Sequence, residues 1–218
     1  MAKNDPLKTN ILAAKIIPNV SPDLARELNL APGQRSLALV TTDCDDVTYT
    51  ALDEATKMAD VEVVYAKSFY GGAANANTKL AGEILGVLAG PNPAEVRSGL
   101  NALKAFIENE AWFISANEEN SIIYYAHTIS RSGSYLSKVA GVAAGESLSY
   151  LIAPPLEAVY ALDAAIKAAD VSMVAFYGPP SETNFGGGLL TGSQSACKAA
   201  CDAFGAAVQY VADNPTVF

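Results

Sequence analysis

Three carboxylates crowd into the string "TTDCDD": Asp43, Asp45 and Asp46. They stand just ahead of a helical pattern, so two chemistries are open to them. One Asp can cap the helix while its neighbours add favourable charge to the first turn. Alternatively, the group can hold a cation or an amine. Other reactive residues are few. The single histidine, His127, lies in the strand-like run "IIYYAHTIS" and reads as structural, since a Ser-His-Asp hydrolase needs a histidine base beside a nucleophile. Cys197 and Cys201 are four apart, but a zinc site needs about four ligands and no second pair is near. Both fall on an apolar helical stripe, where free Cys behaves as a small hydrophobe. Cys44 sits among the acids, which raise a thiol pKa rather than activate it. The Gly-rich "FGGGLLTGS" has Thr191 where a dinucleotide loop needs its third glycine, and no phosphate-loop Gly-Lys-Ser/Thr exists. No enzyme activity, metal or cofactor is expected from these residues.

The chain has 218 residues, half of them apolar, 17% charged and a formal net charge of −9. A sizeable core is therefore available. The acidity argues against nucleic acid, whose affinity comes mostly from basic side chains on phosphates. The start, "MAKNDPLKTN", lacks the apolar segment of a secretory signal. No run reaches the roughly 18 apolar residues of a membrane span. With three cysteines and no signal, a reduced, cytosolic setting is expected.

The elements that must position the acids come in duplicate. "ALDEATKMADVEVV" from Ala51 returns as "ALDAAIKAADVSMV" from Ala161. Upstream, "SLALV" parallels "SLSYL"; further upstream, "NILAAKIIP" and "SPDLARELNL" parallel "NSIIYYAHTIS" and "SGSYLSKVAGV". Each copy reads as strand, short helix, strand, Ala-rich helix, β-branched strand, long loop, strand and a final helix. The buried stripes are Val47, Ala51, Ala55, Met58 and Ala59 in the first long helix and Ala158, Leu162, Ala165, Ile166 and Ala169 in its repeat. Asn92-Pro93-Ala94-Glu95 has the marks of a capped helix start, leading into Val96, Leu100, Leu103 and Ile107. Cys197, Cys201, Phe204, Val208 and Val211 form the last stripe. The expected fold is α/β, with domains at 1–109 and 110–218, each a small mainly antiparallel sheet with packed helices. The long loops "KSFYGGAANANTKLAG" and "GPPSETNFGGG" follow equivalent strands. Their glycines, Gly71, Gly72, Gly82 and Gly186 to Gly188, suit hinges of a pore lining or gate. A soluble small-molecule binding or regulatory protein with tandem α/β domains is the alternative.

The strings "TTDCDDVTYTALDEATK", "GPNPAEVR", "SRSGSYLS", "APPLEAVYALDAA" and "LTGSQSACKAAC" resemble the bacterial microcompartment shell domain in its tandem, circularly permuted form, and most closely the L-type shell proteins of ethanolamine-utilisation microcompartments. The resemblance runs from about Ile11 to Pro215 and implies a structural protein rather than an enzyme. It implies a homotrimer that imitates a flat hexamer, tiles with other shell proteins in a cytoplasmic microcompartment shell, and binds neither membrane nor nucleic acid. It implies a gated central pore passing small metabolites or large cofactors. The gate loops would be Lys67–Glu83 and Tyr177–Thr191, with Lys67, Ser68, Phe69, Tyr70, Gly71, Gly72, Ser181, Glu182, Thr183, Asn184 and Phe185 at the pore. It further implies small channels for ethanolamine at Asp45, Asp46, Glu83, Trp112 and Phe113, and no resident cofactor or metal. Carboxylates and an aromatic face suit an ammonium group.

Overall fold

The computed structural model describes residues 2–69, 82–179 and 185–217. In chain order the elements are β1 (Pro6–Leu7), β2 (Ile11–Ile17), α1 (Pro22–Glu27), β3 (Ser36–Thr42), α2 (Asp45–Met58), β4 (Glu62–Ser68), β5 (Ile84–Gly90) and α3 (Pro93–Asn109). Then follow β6 (Phe113–Ser115), β7 (Ile123–Ile129), α4 (Ser134–Ala140), β8 (Ser147–Ala153), α5 (Pro155–Ala168), β9 (Val171–Tyr177), β10 (Gly186–Gly192) and α6 (Gln194–Asp213). They form two compact units. One comprises Thr9–Ala111 with Gly133–Leu136; the other comprises Met1–Lys8, Trp112–Ser132 and Ser137–Phe218.

The first of these units is built on a four-stranded antiparallel sheet in the order β2-β3-β5-β4. Side chains alternate across a strand, so neighbours serve opposite faces. Leu37, Val87 and Ala89 join Val20, Ala25 and Leu28 on the side of α1. Ala38, Val40 and Leu88 are buried on the other side, where α2 and α3 bury Leu52, Ala55, Val96, Leu100 and Leu103. Helix α3 starts as its residues predict: Asn92 Oδ1 accepts from the N–H groups of Ala94 (2.9 Å) and Glu95 (3.0 Å). Glu95 does not close a capping box. Its carboxylate accepts instead from the N–H of Asp60 at 2.9 Å, tying α3 to the turn before β4.

The other unit repeats that strand order as β7-β8-β10-β9 and extends it to β1-β6-β7-β8-β10-β9. Leu151, Ala153 and Leu190 face α5 and α6, which supply Ala158, Ala161, Leu162, Ala165, Ala200, Cys201, Phe204 and Val208. Small alanines let these two helices approach closely. The edge strands β4 and β9 each carry a register shift against their neighbour, at Val63/Tyr65 of β4 and at Met173/Ala175 of β9. Such irregularities twist an edge strand and re-aim its side chains. No described helix is long and apolar enough to cross a membrane.

Three expectations change. Met58 is 64% exposed, because α2 ends there and Ala59 returns to extended backbone; the buried stripe stops at Ala55. Lys67 and Ser68 belong to β4 rather than to a loop, paired with Leu85 and Ile84. Gly186 to Gly188 lie in β10, paired with β8, so they are not hinges of the second loop.

Candidate functional site

The three acids have separate tasks. Asp43 accepts from the backbone N–H (2.7 Å) and the side-chain amide (2.8 Å) of Asn10. Asp45 and Asp46 are buried in the first turn of α2, where their charge suits the helix dipole. Asp45 is not the N-cap, contrary to the capping expectation. That position is Cys44, and no side chain caps it. The turn is held by threonines instead: the Cys44 N–H donates to Thr42 Oγ1 at 3.2 Å, and Thr48 Oγ1 donates to the Cys44 carbonyl at 2.7 Å. This releases the Asp45 carboxylate for another role. Its Oδ1 accepts from the N–H of Asp46 at 2.9 Å, and its Oδ2 accepts from the hydroxyl of Ser68 at 2.6 Å. Ser68 in turn donates its N–H to Tyr49 Oη at 2.9 Å and accepts the Tyr49 hydroxyl at 2.6 Å.

Glu83 stands at the root of the same segment. Its N–H donates to the Thr42 carbonyl at 2.7 Å, and its carbonyl accepts from the N–H of Phe69 at 3.0 Å. The preceding residue, Gly82, admits no side chain, since a Cβ there would lie 1.7 Å from the Thr42 carbonyl oxygen. Close approach of Gly82 and Glu83 to β3 therefore brings Glu83 to the acids. Burial, then the charges of Asp45 and Asp43, push its carboxyl above the ordinary 4.5. Its surface is still substantially exposed, so solvent screens part of that effect. A carboxyl crowded by carboxylates gains from a cation beside it. Burial first, and the Asp46 charge second, push the Cys44 thiol far above its usual range.

Trp112 and Phe113 open the other unit. Lys8 Nζ sits 5.4 Å from the centre of the Trp112 ring, so an ammonium group already occupies an indole face. Phe113 is buried, stacked on Tyr125 at 5.4 Å, and 6.0 Å from Phe185. A residue assigned to the small channel thus meets one assigned to the pore loop. The row continues through His127, parallel to Tyr125 at 5.6 Å, and through Tyr150 and Tyr177. Cys197 and Cys201 are buried, and burial lifts the Cys201 thiol to about 11. No group of three potential metal ligands occurs among the described residues.

Tyr70, Gly71, Gly72, Ser181, Glu182, Thr183 and Asn184 lie outside the described residues. Two functional side chains escape the sequence reading. Tyr49 stands one helical turn after Asp45, a spacing that could have linked it to the acid. Asp53 sits inside the duplicated "ALD", a polar residue beside a buried stripe.

The BMC domain family matches residues 36–118. Over 216 residues the chain is 67% identical to the bacterial microcompartment shell protein EutL of Clostridium perfringens, covering 99% of this chain and all of that one. It is 54% identical over 211 residues to EutL of Salmonella typhimurium, covering 97% and 96%. The crystal structure of the ethanolamine utilization protein EutL from Leptotrichia buccalis superposes with a TM-score of 0.96 at 71% identity, covering 99% of this chain and all of that one. A duplicated antiparallel strand order and this likeness over the full length agree: the chain belongs to the bacterial microcompartment shell proteins, of the ethanolamine-utilisation type.

Proposed function

We propose that three copies of the chain close a ring around a central pore, and that the ring is a tile of the shell alongside other shell proteins. Each copy supplies two sectors, the repeats 1–109 and 110–218. The observation that carries this reading is the shared strand order, β2-β3-β5-β4 and β7-β8-β10-β9, in which the long loops leave equivalent edge hairpins. Lys67, Ser68 and Phe69 on one side and Phe185 on the other stand where these loops join the sheets. The loops are the gate, and the pore is where a metabolite or a large cofactor passes. The role is structural, without catalysis. Light scattering should return three times the 22.6 kDa chain mass, and concentrated protein should form flat sheets in the electron microscope. A monomer at micromolar concentration overturns the reading.

The acidic site is the small channel. Asp45, Asp46 and Glu83 hold the ammonium of ethanolamine weakly enough for it to leave. In the other unit, Trp112, whose ring faces Lys8 Nζ at 5.4 Å, and Phe113 are the aromatic residues of the same channel reading. Asp45→Asn keeps one oxygen for either the Asp46 N–H or the Ser68 hydroxyl and removes a charge, so it should lower the melting temperature slightly and bind ethanolamine about tenfold more weakly in calorimetric titration. Glu83 gives the wild-type titration a pH dependence. Its raised pKa means that the folded chain holds this proton more firmly than the unfolded chain does. As pH rises above 4.5, the carboxylate forms, intrinsic stability from this site falls, and affinity for the cation rises until Glu83 is fully ionised. Glu83→Gln should flatten both trends. Binding that is independent of pH, or equal in Asp45→Asn and wild type, removes the acids from the site.

A further inference from the structure

Cys197 and Cys201 stand one helical turn apart on the buried face of α6, 0% and 5% exposed. The sheet beneath them is not apolar. Thr128 of β7 pairs with Ser149 of β8. Thr128 shares its face with Ala126, and Ser149 shares its face with Leu151, both of which pack with α6. The Ser149 hydroxyl donates to the Cys197 carbonyl at 2.9 Å. It also stands beside both thiols, and the Thr128 hydroxyl stands beside that of Cys201. The Cys197 thiol donates to the Gly192 carbonyl at 3.8 Å. Two thiols and two hydroxyls therefore meet between α6 and its sheet.

The other repeat shows what this place needs for packing alone. Counted from the N-caps Asn92 and Ser193, Val96 and Leu100 stand where Cys197 and Cys201 do. Ile16 and Ala38, paired in their own sheet, stand where Thr128 and Ser149 do. All four are apolar, and Ala38 and Val96 are fully buried. Packing at this junction asks only for apolar side chains, so a set of two thiols and two hydroxyls answers a different need.

The geometry narrows that need. Side chains four apart on a helix have Cβ atoms about 5–6 Å apart, wider than the roughly 3.8 Å of a disulfide. The pair therefore suits an ion between the sulfurs better than a bond between them. No third His, Cys, Asp or Glu joins them among the described residues, which removes the four-ligand sites of zinc. What remains is a soft ion content with two thiolates. Burial raises both thiols above the ordinary 9.0, so they rest protonated, and only a strongly thiophilic ion displaces the protons. There is a way in. An open cavity of about 530 Å³ is lined by Thr128, Ser130, Gln194, Ser195 and Lys198, so the hydroxyl beside Cys201 is also a wall of the cavity.

We propose that Cys197 and Cys201 form a two-thiolate site for monovalent copper, with the Thr128 and Ser149 hydroxyls as hydrogen-bond donors to the sulfurs and the neighbouring cavity as the entrance. Each thiol releases its proton to solvent as its sulfur bonds the ion. Copper stays Cu(I), so nothing is oxidised or reduced. Two negative sulfurs against one positive ion leave the site with a single negative charge, which the two hydroxyl donors stabilise.

Anaerobic competition against a Cu(I) chelator tests this. The wild type should take up one Cu(I), seen in the ultraviolet absorption of the thiolate–copper bond, and Cys44→Ser should do the same. Cys197→Val, which installs the residue of the other repeat, and Cys201→Ala should each bind about a hundredfold more weakly while keeping a cooperative melt. Ser149→Ala should weaken binding about tenfold. X-ray absorption at the copper edge of the loaded wild type needs no variant: two sulfur neighbours support the site, and nitrogen or oxygen neighbours overturn it. A wild type that takes up no Cu(I), uptake that is lost in Cys44→Ser, or equal uptake in Cys197→Val and Cys201→Ala also overturns it and leaves two cysteines that only fill space.

Discussion

Asp53→Ala should lower the melting temperature by roughly 10 °C, the effect of about 3 kcal/mol on a chain of this size. The side chain is almost wholly buried and is the acceptor for two backbone N–H groups, those of Gly133 and Leu136. Removing it leaves both donors without that acceptor inside the unit, at about 1–3 kcal/mol each. Part of this loss is offset, because a buried carboxylate is itself costly: desolvation raises its pKa above 3.8, and the two N–H bonds recover only some of that. Asp53→Asn should cost about half as much, since its single oxygen serves one donor while its amide meets the other. The raised pKa has a definite sign. The folded chain binds the Asp53 proton more readily than the unfolded chain, so stability from this site falls as pH rises from 3.8 through the shifted value, then levels off. Asp53→Asn should lose that slope. Thermal melts of the two variants across this pH range check the prediction; an Asp53→Ala protein as stable as wild type would show that these two hydrogen bonds contribute nothing to the fold.

Gly187→Ala should cost more than about 3 kcal/mol and be seen first as lost soluble yield. Gly187 pairs with Ile152 in the interior of its sheet and has φ of +157°. A Cβ there would lie 1.8 Å from the Leu151 carbonyl oxygen and 3.0 Å from the Ile152 Cα. These are backbone atoms of a strand held on both sides, so no side chain can swing aside. Either β10 separates from β8 or the register slips, and a slip of one residue turns every side chain of a strand to the wrong face. Gly33→Ala is the comparison. Its φ is +98°, yet nothing lies within 4 Å of the added carbon, so the cost should be about 1 kcal/mol of backbone strain. Chemical denaturation of both proteins separates crowding from strain. Equal losses would mean that the strand contact is looser than its geometry requires.

Local pattern alone determined the duplication, the order of the repeated elements and the stripes of α3 and α6, because helical and strand periodicities are written in adjacent residues. The short strands β1 and β6 escaped it, and the α5 stripe, expected to reach Ala169, ends at Ala165 because the helix stops at Ala168. The helix start at Asn92 was legible for the same reason: a cap needs only its own next few residues. The acids were legible as a cluster but not as a site. Whether Asp45 caps α2 or accepts from Ser68 depends on β4 arriving beside the helix, which no local spacing encodes. The glycines of β10 look identical to hinge glycines in the sequence, since both lack a Cβ; only the carbonyls of β8 and β9 pressing against them distinguish a packed strand from a loop. The role of Asp53 was invisible for a plainer reason. Asp53 and Asp163 stand in nearly the same words, and the difference between a buried acceptor and a surface acid is made by a segment 80 residues further along the chain. Covalent neighbours are shared by the two copies, while spatial neighbours are not, and desolvation and hydrogen bonding answer to spatial neighbours.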